Sequence, residues 1–268
     1  MPAAVHALHH REGVMGTIVT IDVFTADGSA GREISAGLAT AREILRQADA
    51  VFSTWKPDSA VSRLRRGEIT LAEAPAQVAE VVRACALARD LSGGWFDPWA
   101  MPGGLDPTGL VKGWAAQRAA AALRVPGAVG AIVNAAGDIA SFGALGPGTP
   151  FRIGIADPFA PRRLTAIVHL NGAIATSGCY ERGGHLIDPR SGCPAARAAS
   201  ASVTGPDLAM ADALATALAV AGEPGVALVD RLDGYEALII APDRGLHWTA
   251  GFPFARAAEP KEVAPATG

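Results

Sequence analysis

The sequence predicts a mixed α/β fold of the α+β kind, carried by one domain. Three observations point there. With 268 residues, 50% of them hydrophobic, the chain is able to bury a substantial core. β-Branched alternating stretches and segments with apolar residues at helical spacing both occur. They mix without strict βαβ alternation and without an internal repeat. The abundance of alanine and glycine predicts small-faced, closely packed helices.

Taken in order, Thr17 to Phe24 is β-branched and alternates, so it reads as a strand. Ile34 to Ala50 carries apolar residues at helical spacing with Arg and Glu outside. Phe52 to Ser59 (FSTWKPDS) reads as a loop, broken by Pro57, Asp58 and its serines. A second helix spans Gln77 to Leu91 and stops at Ser92-Gly93-Gly94. Phe96 to Gly109 is too rich in Pro, Gly and Asp for regular structure. Leu110 to Leu123 is an Ala-rich helix ending near Pro126-Gly127. Short strands are expected at Ala131–Asn134, Phe151–Ala156, Ala166–Leu170, Ala201–Thr204 and Ala237–Ile240, with a helix over Leu208–Ala221. Ala175 to Gly192 reads as irregular. The domain is expected over 13–254, between a flexible N-terminus (1–12) and a loose tail (255–268).

Composition excludes several function classes. Charged residues make up 18%, below the globular average of about 25%, and the net charge is −3 with no basic cluster. Nucleic acid is therefore not an expected partner. The N-terminal stretch lacks the roughly 7–15 apolar residues of a signal-peptide core, and no stretch approaches the roughly 18 of a membrane span. A cytoplasmic protein without a membrane span is expected. Cys85, Cys179 and Cys193 match neither a zinc ribbon nor a CxxC pair, so all three are expected to be reduced.

The most informative segment is LAMADALATALAVA, residues 208–221. Asp212 is its only charged residue and Thr216 its only other polar one. They stand at i and i+4, on one face about a turn apart. The remaining faces are apolar, as in a helix buried nearly all round. A lone carboxylate there needs a cation or a set of donors. Carboxylate plus hydroxyl offers two hard oxygen ligands in line, as Mg²⁺ prefers. The pattern is equally compatible with Asp212 accepting hydrogen bonds from a neighbouring loop and Thr216 bonding its own backbone.

Other candidates are weaker singly. Asp106-Pro-Thr-Gly109-Leu-Val-Lys112-Gly113 leads into a helix whose free N–H groups favour an anion, and Lys112 adds positive charge. It lacks the spacing and ending of a Walker A loop, and a capped helix start with a solvated lysine accounts for it as well. The loop around His185, Asp188 and Arg190 concentrates functional groups. His185 is a candidate general base; alternatively these three residues hold the loop together. Thr176-Ser177-Gly178 lacks the GxSxG pattern of a nucleophile elbow. Gly143-Ala-Leu-Gly146-Pro-Gly148 reads as a turn, since it precedes a strand and opens no helix. Trp55, in a polar loop, either stacks on a flavin or adenine ring or is a partly exposed packing residue.

Together these pieces resemble the ApbE family of FAD:protein FMN transferases. The matching segments are Met15-Gly-Thr17, Ser53–Ser59, Phe96-Asp97-Pro98, Asp106–Gly113, Asn134–Asp138, Thr176–Gly178, His185–Gly192 and Ala211–Thr216. They occur in family order over about residues 15 to 222. The family's Asn-x-Gly-Gly-Asp stands here as Asn134-Ala-Ala-Gly137-Asp138, and its Asp-Leu-Gly-Gly-Ile-Ala-Lys-Gly as Asp106-Pro-Thr-Gly-Leu-Val-Lys-Gly113. Ala136 fits the first of these if its φ is negative.

The resemblance implies a T-fold-like domain with mixed sheets and packed helices. It implies Mg²⁺ held by Asp212, Thr216 and the Gly109 carbonyl. It also implies FAD, the substrate, contacted by Met15, Trp55, Phe96 and Asp97, and by Asp106, Lys112 and His185. The partner would be an acceptor flavoprotein with a Thr or Ser flavinylation site. Asp212 and His185 would be the catalytic residues, His185 as base. Two rivals are an FAD pyrophosphatase, releasing free FMN and AMP, and a non-catalytic FAD-binding protein that yields no AMP.

Overall fold

A computed structural model describes residues 5–26, 28–145, 149–170, 172–178, 186–195 and 197–255. The chain opens with a hairpin, β1 (His6–Val14) and β2 (Thr17–Thr25), then runs through three helices, α1 (Arg32–Phe52), α2 (Ala60–Arg65) and α3 (Ala76–Leu91). Helix α4 (Thr108–Ala122) precedes a second hairpin, β3 (Ala128–Ala135) and β4 (Asp138–Gly143). Next come a hairpin of β5 (Phe151–Asp157) and β6 (Ala160–Leu170), strand β7 (Ala173–Gly178), and the short pair β8 (Ile187–Asp188) and β9 (Cys193–Pro194). Strand β10 (Ser200–Gly205), helices α5 (Leu208–Ala221) and α6 (Val226–Val229), and strands β11 (Glu236–Ile240) and β12 (Leu246–Trp248) complete it.

Eight strands form one antiparallel sheet in the order β1-β2-β3-β4-β7-β10-β11-β12. Helices α4 and α5 pack on one face, and α1 and α3 pack on those helices. The β5–β6 hairpin covers part of the other face, where Phe151, Val168 and Leu170 meet Ile174 and Leu238. The main core lies between sheet and helices, and its alanines let α4 and α5 approach closely.

Most elements follow the sequence pattern, with α5 spanning the residues expected of it. Three differ. The edge strand β1, His6–Val14, takes in residues 6–12 of the N-terminal stretch expected to be flexible. Its residues are polar on both faces because an edge strand stays half exposed. Ala173–Gly178, whose latter part reads as irregular, is a central strand. Ala, Ser and Gly have low strand propensity, but here Ile174 and Ala175 are buried between α5 and the β5–β6 layer. The Ala160–Leu170 strand begins earlier than expected because its first half is polar and exposed.

Glu12 ties β1 to α1. Its carboxylate accepts hydrogen bonds from Arg42 Nε at 2.8 Å and Arg46 Nε at 2.9 Å. The Arg42 bond above all, with His10 and Arg46 helping and burial opposing, holds the Glu12 carboxyl down to about 2. A carboxyl lowered by folding stabilises above its ordinary value, and that stabilisation is lost as pH falls toward 2. Melting of Glu12→Gln is therefore expected a few degrees below wild type at pH 7, with the gap closing between about pH 4.5 and 2.

Candidate active site

A cleft of about 560 Å³ opens where the N-terminal half of α4 and the middle of α5 meet the loops around them. Its size suits a small-molecule ligand. Asp212 and Thr216 form part of its lining from α5. Asp212 is 2% exposed. Helix α5 is anchored by Asp207, whose Oδ1 accepts from the Met210 N–H at 2.8 Å. One turn beyond Asp212, the Thr216 hydroxyl lies 3.2 Å from Ser177 Oγ on β7.

Gly109 and Lys112 face the same cleft from α4. A methyl built on Gly109 would lie 3.5 Å from Thr216 Oγ1 and 3.2 Å from the Phe96 ring. The Gly113 N–H donates to Asp212 Oδ2 at 3.2 Å. Helical geometry aims that same N–H at the Gly109 carbonyl, so carbonyl and carboxylate converge on one amide. Lys112 Nζ donates to Asp138 and lies 3.9 Å from Asp212 Oδ1.

Burial first, then the negative charge of Asp138, pushes the Asp212 carboxyl up to about 7, against the pull of Lys112 and the Gly113 N–H. Two buried carboxylates thus share the neighbourhood of one ammonium, a setting that favours an added cation. Among the described residues no three His, Cys, Asp or Glu side chains gather around one point. The available donors are instead a carboxylate, hydroxyls and a backbone carbonyl, the hard oxygens that suit Mg²⁺.

The walls come from segments distant in sequence. Met15 sits with Gly16 in the two-residue turn joining β1 and β2, with φ 53 and 68. Positive φ at both positions is the geometry of a tight hairpin. Trp55 is 93% exposed at the rim, on a loop pinned by Ser53, whose Oγ accepts from the Trp55 and Lys56 N–H groups. Phe96, Asp97 and Asp106 line the cleft from the irregular stretch before α4. Asp106 also braces the approach to α4, accepting from the Thr108 N–H at 3.0 Å, and Asp97 pairs with Arg89 at 2.9 Å. Every candidate site residue among those described therefore faces one cleft; His185 lies outside the described residues.

Four further residues belong to this site at residue level. Asp138 holds Lys112, and Ser177 touches Thr216. Asp49 and Lys56, paired at 2.6 Å, stand beside Trp55. Asp138 and Ser177 fall in segments that carried the family resemblance. Asp49 has no sequence signal, since a polar residue near a helix end reads as solvated.

Ala136 corrects an expectation. Its φ is +56, not negative, and with Gly137 at +95 it forms the two-residue turn between β3 and β4. An alanine there is strained by about 1 kcal/mol, partly offset because glycine would loosen the unfolded chain. Ala136→Gly is expected to raise stability by about 0.5 kcal/mol, measurable as a higher urea midpoint at unchanged slope.

The ApbE family profile matches residues 15–103 and 99–239, nearly the whole described domain. The chain belongs to the ApbE family. Over 150 residues it is 37% identical to the FAD:protein FMN transferase of Rhodobacter capsulatus, covering 53% of this chain and 28% of that protein. Over 153 residues it is 33% identical to the FAD:protein FMN transferase of Vibrio cholerae serotype O1, covering 53% and 46%. The match spans less than half the length of either relative. Among solved structures, the flavin transferase ApbE from Vibrio cholerae superimposes with a TM-score of 0.78 at 24% identity, over 92% of this chain and 98% of that one. The ApbE protein of Thermotoga maritima gives 0.78 at 23% identity, over 91% and 97%. The ApbE fold is thus present almost in full. No helix among the described residues is long and apolar enough to cross a membrane.

Proposed function

We propose that the chain is a Mg²⁺-dependent FAD:protein FMN transferase, moving FMN from FAD onto a Thr or Ser hydroxyl of an acceptor flavoprotein. The observation that carries this is Asp212: a carboxylate buried in an apolar helix, beside Thr216 and Gly109, in the lining of an open cleft. The two curated relatives that bear this activity in their names support the same reading.

The donor set fits the metal. Asp212, Thr216 and the Gly109 carbonyl would hold it, and the ion would neutralise charge on the pyrophosphate as the leaving group departs. Lys112 and the N-terminus of α4 would add positive potential at the same phosphates. Asp138 would keep Lys112 oriented. Trp55, Met15 and Phe96 offer the apolar surface for the ring systems, and Asp97 and Asp106 the polar contacts.

The acceptor oxygen would form a bond to the FMN phosphorus while the bond from that phosphorus to the bridging oxygen breaks. AMP leaves with the electron pair, and the acceptor's proton passes to a base, for which His185 is the choice. The products are a phosphodiester-linked FMN and free AMP. Incubation with FAD, Mg²⁺ and an acceptor carrying a flavinylation site tests this by in-gel flavin fluorescence. Labelled acceptor with one AMP per flavin is expected. Free FMN without labelled protein would make the chain a pyrophosphatase, and bound FAD with no AMP a flavin-binding protein.

A further inference from the structure

The cleft wall formed by Leu186, Ile187 and Pro189 belongs neither to the main sheet nor to a helix. Strands β8 and β9 pair only with each other in the sheet pattern of the described residues. A four-residue ladder of this kind does not hold its own position in water. Its internal bonds are local: the Ala195 N–H donates to the Leu186 carbonyl at 2.9 Å, and the Arg190 N–H to Asp188 Oδ1 at 2.9 Å.

The anchor is a tryptophan far away in sequence. The Arg190 guanidinium lies 3.5 Å over the centre of the Trp95 ring, and its Nη2 donates to the Gly93 carbonyl at 3.3 Å. The Arg197 guanidinium stands 5.0 Å from the same ring and pairs with buried Asp188 at 3.1 Å. The Arg197 N–H donates to the Ala219 carbonyl near the end of α5 at 2.9 Å. Trp95 itself lines the cleft and also borders α5 beside Leu214 and Leu218. One indole therefore connects the hairpin to the helix that carries Asp212.

We propose that Trp95 and Arg190 are positioning residues: their stacked pair clamps the β8–β9 hairpin and so sets the width of the cleft for its dinucleotide. The functional half rests on the FAD reading above; the clamp itself does not. A planar guanidinium stacks on an indole while still donating hydrogen bonds at its edge, which a lysine ammonium does not reproduce. Arg190 is exposed and has no place in the chemistry, so its effect must pass through the wall it holds.

Amide hydrogen exchange on the ligand-free protein tests the clamp. In Arg190→Gln and in Trp95→Leu, the amides of 186–195 are expected to exchange about tenfold faster, with those of β10 unchanged. Trp95→Phe, which keeps an aromatic face, should restore most of the protection. Unchanged exchange in Arg190→Gln, or a double variant whose effect is the product of the two single ones, would overturn the clamp. Steady-state kinetics test its consequence. Arg190→Gln should raise KM for FAD about tenfold with kcat within about threefold. A kcat loss at constant KM would overturn the positioning role. Failure of the wild type to bind FAD would instead overturn the functional reading, leaving the exchange result to judge the clamp.

Discussion

Asp212→Asn is expected to lower FMN transfer about a thousandfold, equivalent to roughly 4 kcal/mol of transition-state stabilisation, while making the metal-free protein more stable. The two effects have one origin. Asn keeps the shape and still accepts from the Gly113 N–H, but it carries no charge. The wild-type carboxylate is buried, and the neighbouring charge of Asp138 raises its pKa further. Without a cation it is a liability, so neutralising it should add about 1 kcal/mol, or roughly 2–4 °C in Tm. Adding Mg²⁺ with FAD should raise the Tm of the wild type and leave the variant unmoved. A variant as active as wild type in the presence of EDTA would remove the metal role from Asp212.

Gly113→Ala is expected to destabilise the fold by about 2 kcal/mol, although alanine is the better helix former. Propensity alone favours the alanine by about 1 kcal/mol in an isolated helix. Packing decides otherwise. The added methyl would sit 2.4 Å from the Leu208 carbonyl oxygen, 2.8 Å from its carbon and 3.1 Å from the Ala209 Cα. These are backbone atoms, which cannot swing aside, so α4 and α5 must separate at a cost of about 3 kcal/mol. The loss should appear as a drop in the urea midpoint. Activity should fall as well, because the Asp212 contact to the Gly113 N–H couples the two helices at the cleft. Equal or greater stability in the variant would mean the helices are not packed this closely.

Asp212 was the legible part of the site because a single charge in an otherwise apolar helix demands a partner, whatever the fold around it. Helix α1 was legible from apolar spacing set by burial, α3 from its Ser-Gly-Gly stop, and α4 and α5 from Ala-rich, nearly all-apolar runs too long for a strand. What composition hid was central and small: Ala173–Gly178 has no strand-forming run, yet it occupies the sheet between β4 and β10. The condition set for Ala136, a negative φ, could not be checked from sequence, because only the tight turn between β3 and β4 imposes its positive φ. Trp95 and Arg190 were each visible as residues, but the hydrogen bond joining their segments spans 97 positions, and no local pattern reports such a pairing.

The mechanism turns on where the diphosphate is held. A crystal of the protein grown with FAD and Mn²⁺ in place of Mg²⁺ tests it through anomalous scattering. The predicted result is a metal peak roughly 2.0–2.3 Å from an Asp212 oxygen, with Thr216 Oγ1, the Gly109 carbonyl and the FAD pyrophosphate completing the shell. A peak away from residue 212, or a pyrophosphate bound elsewhere, would contradict it.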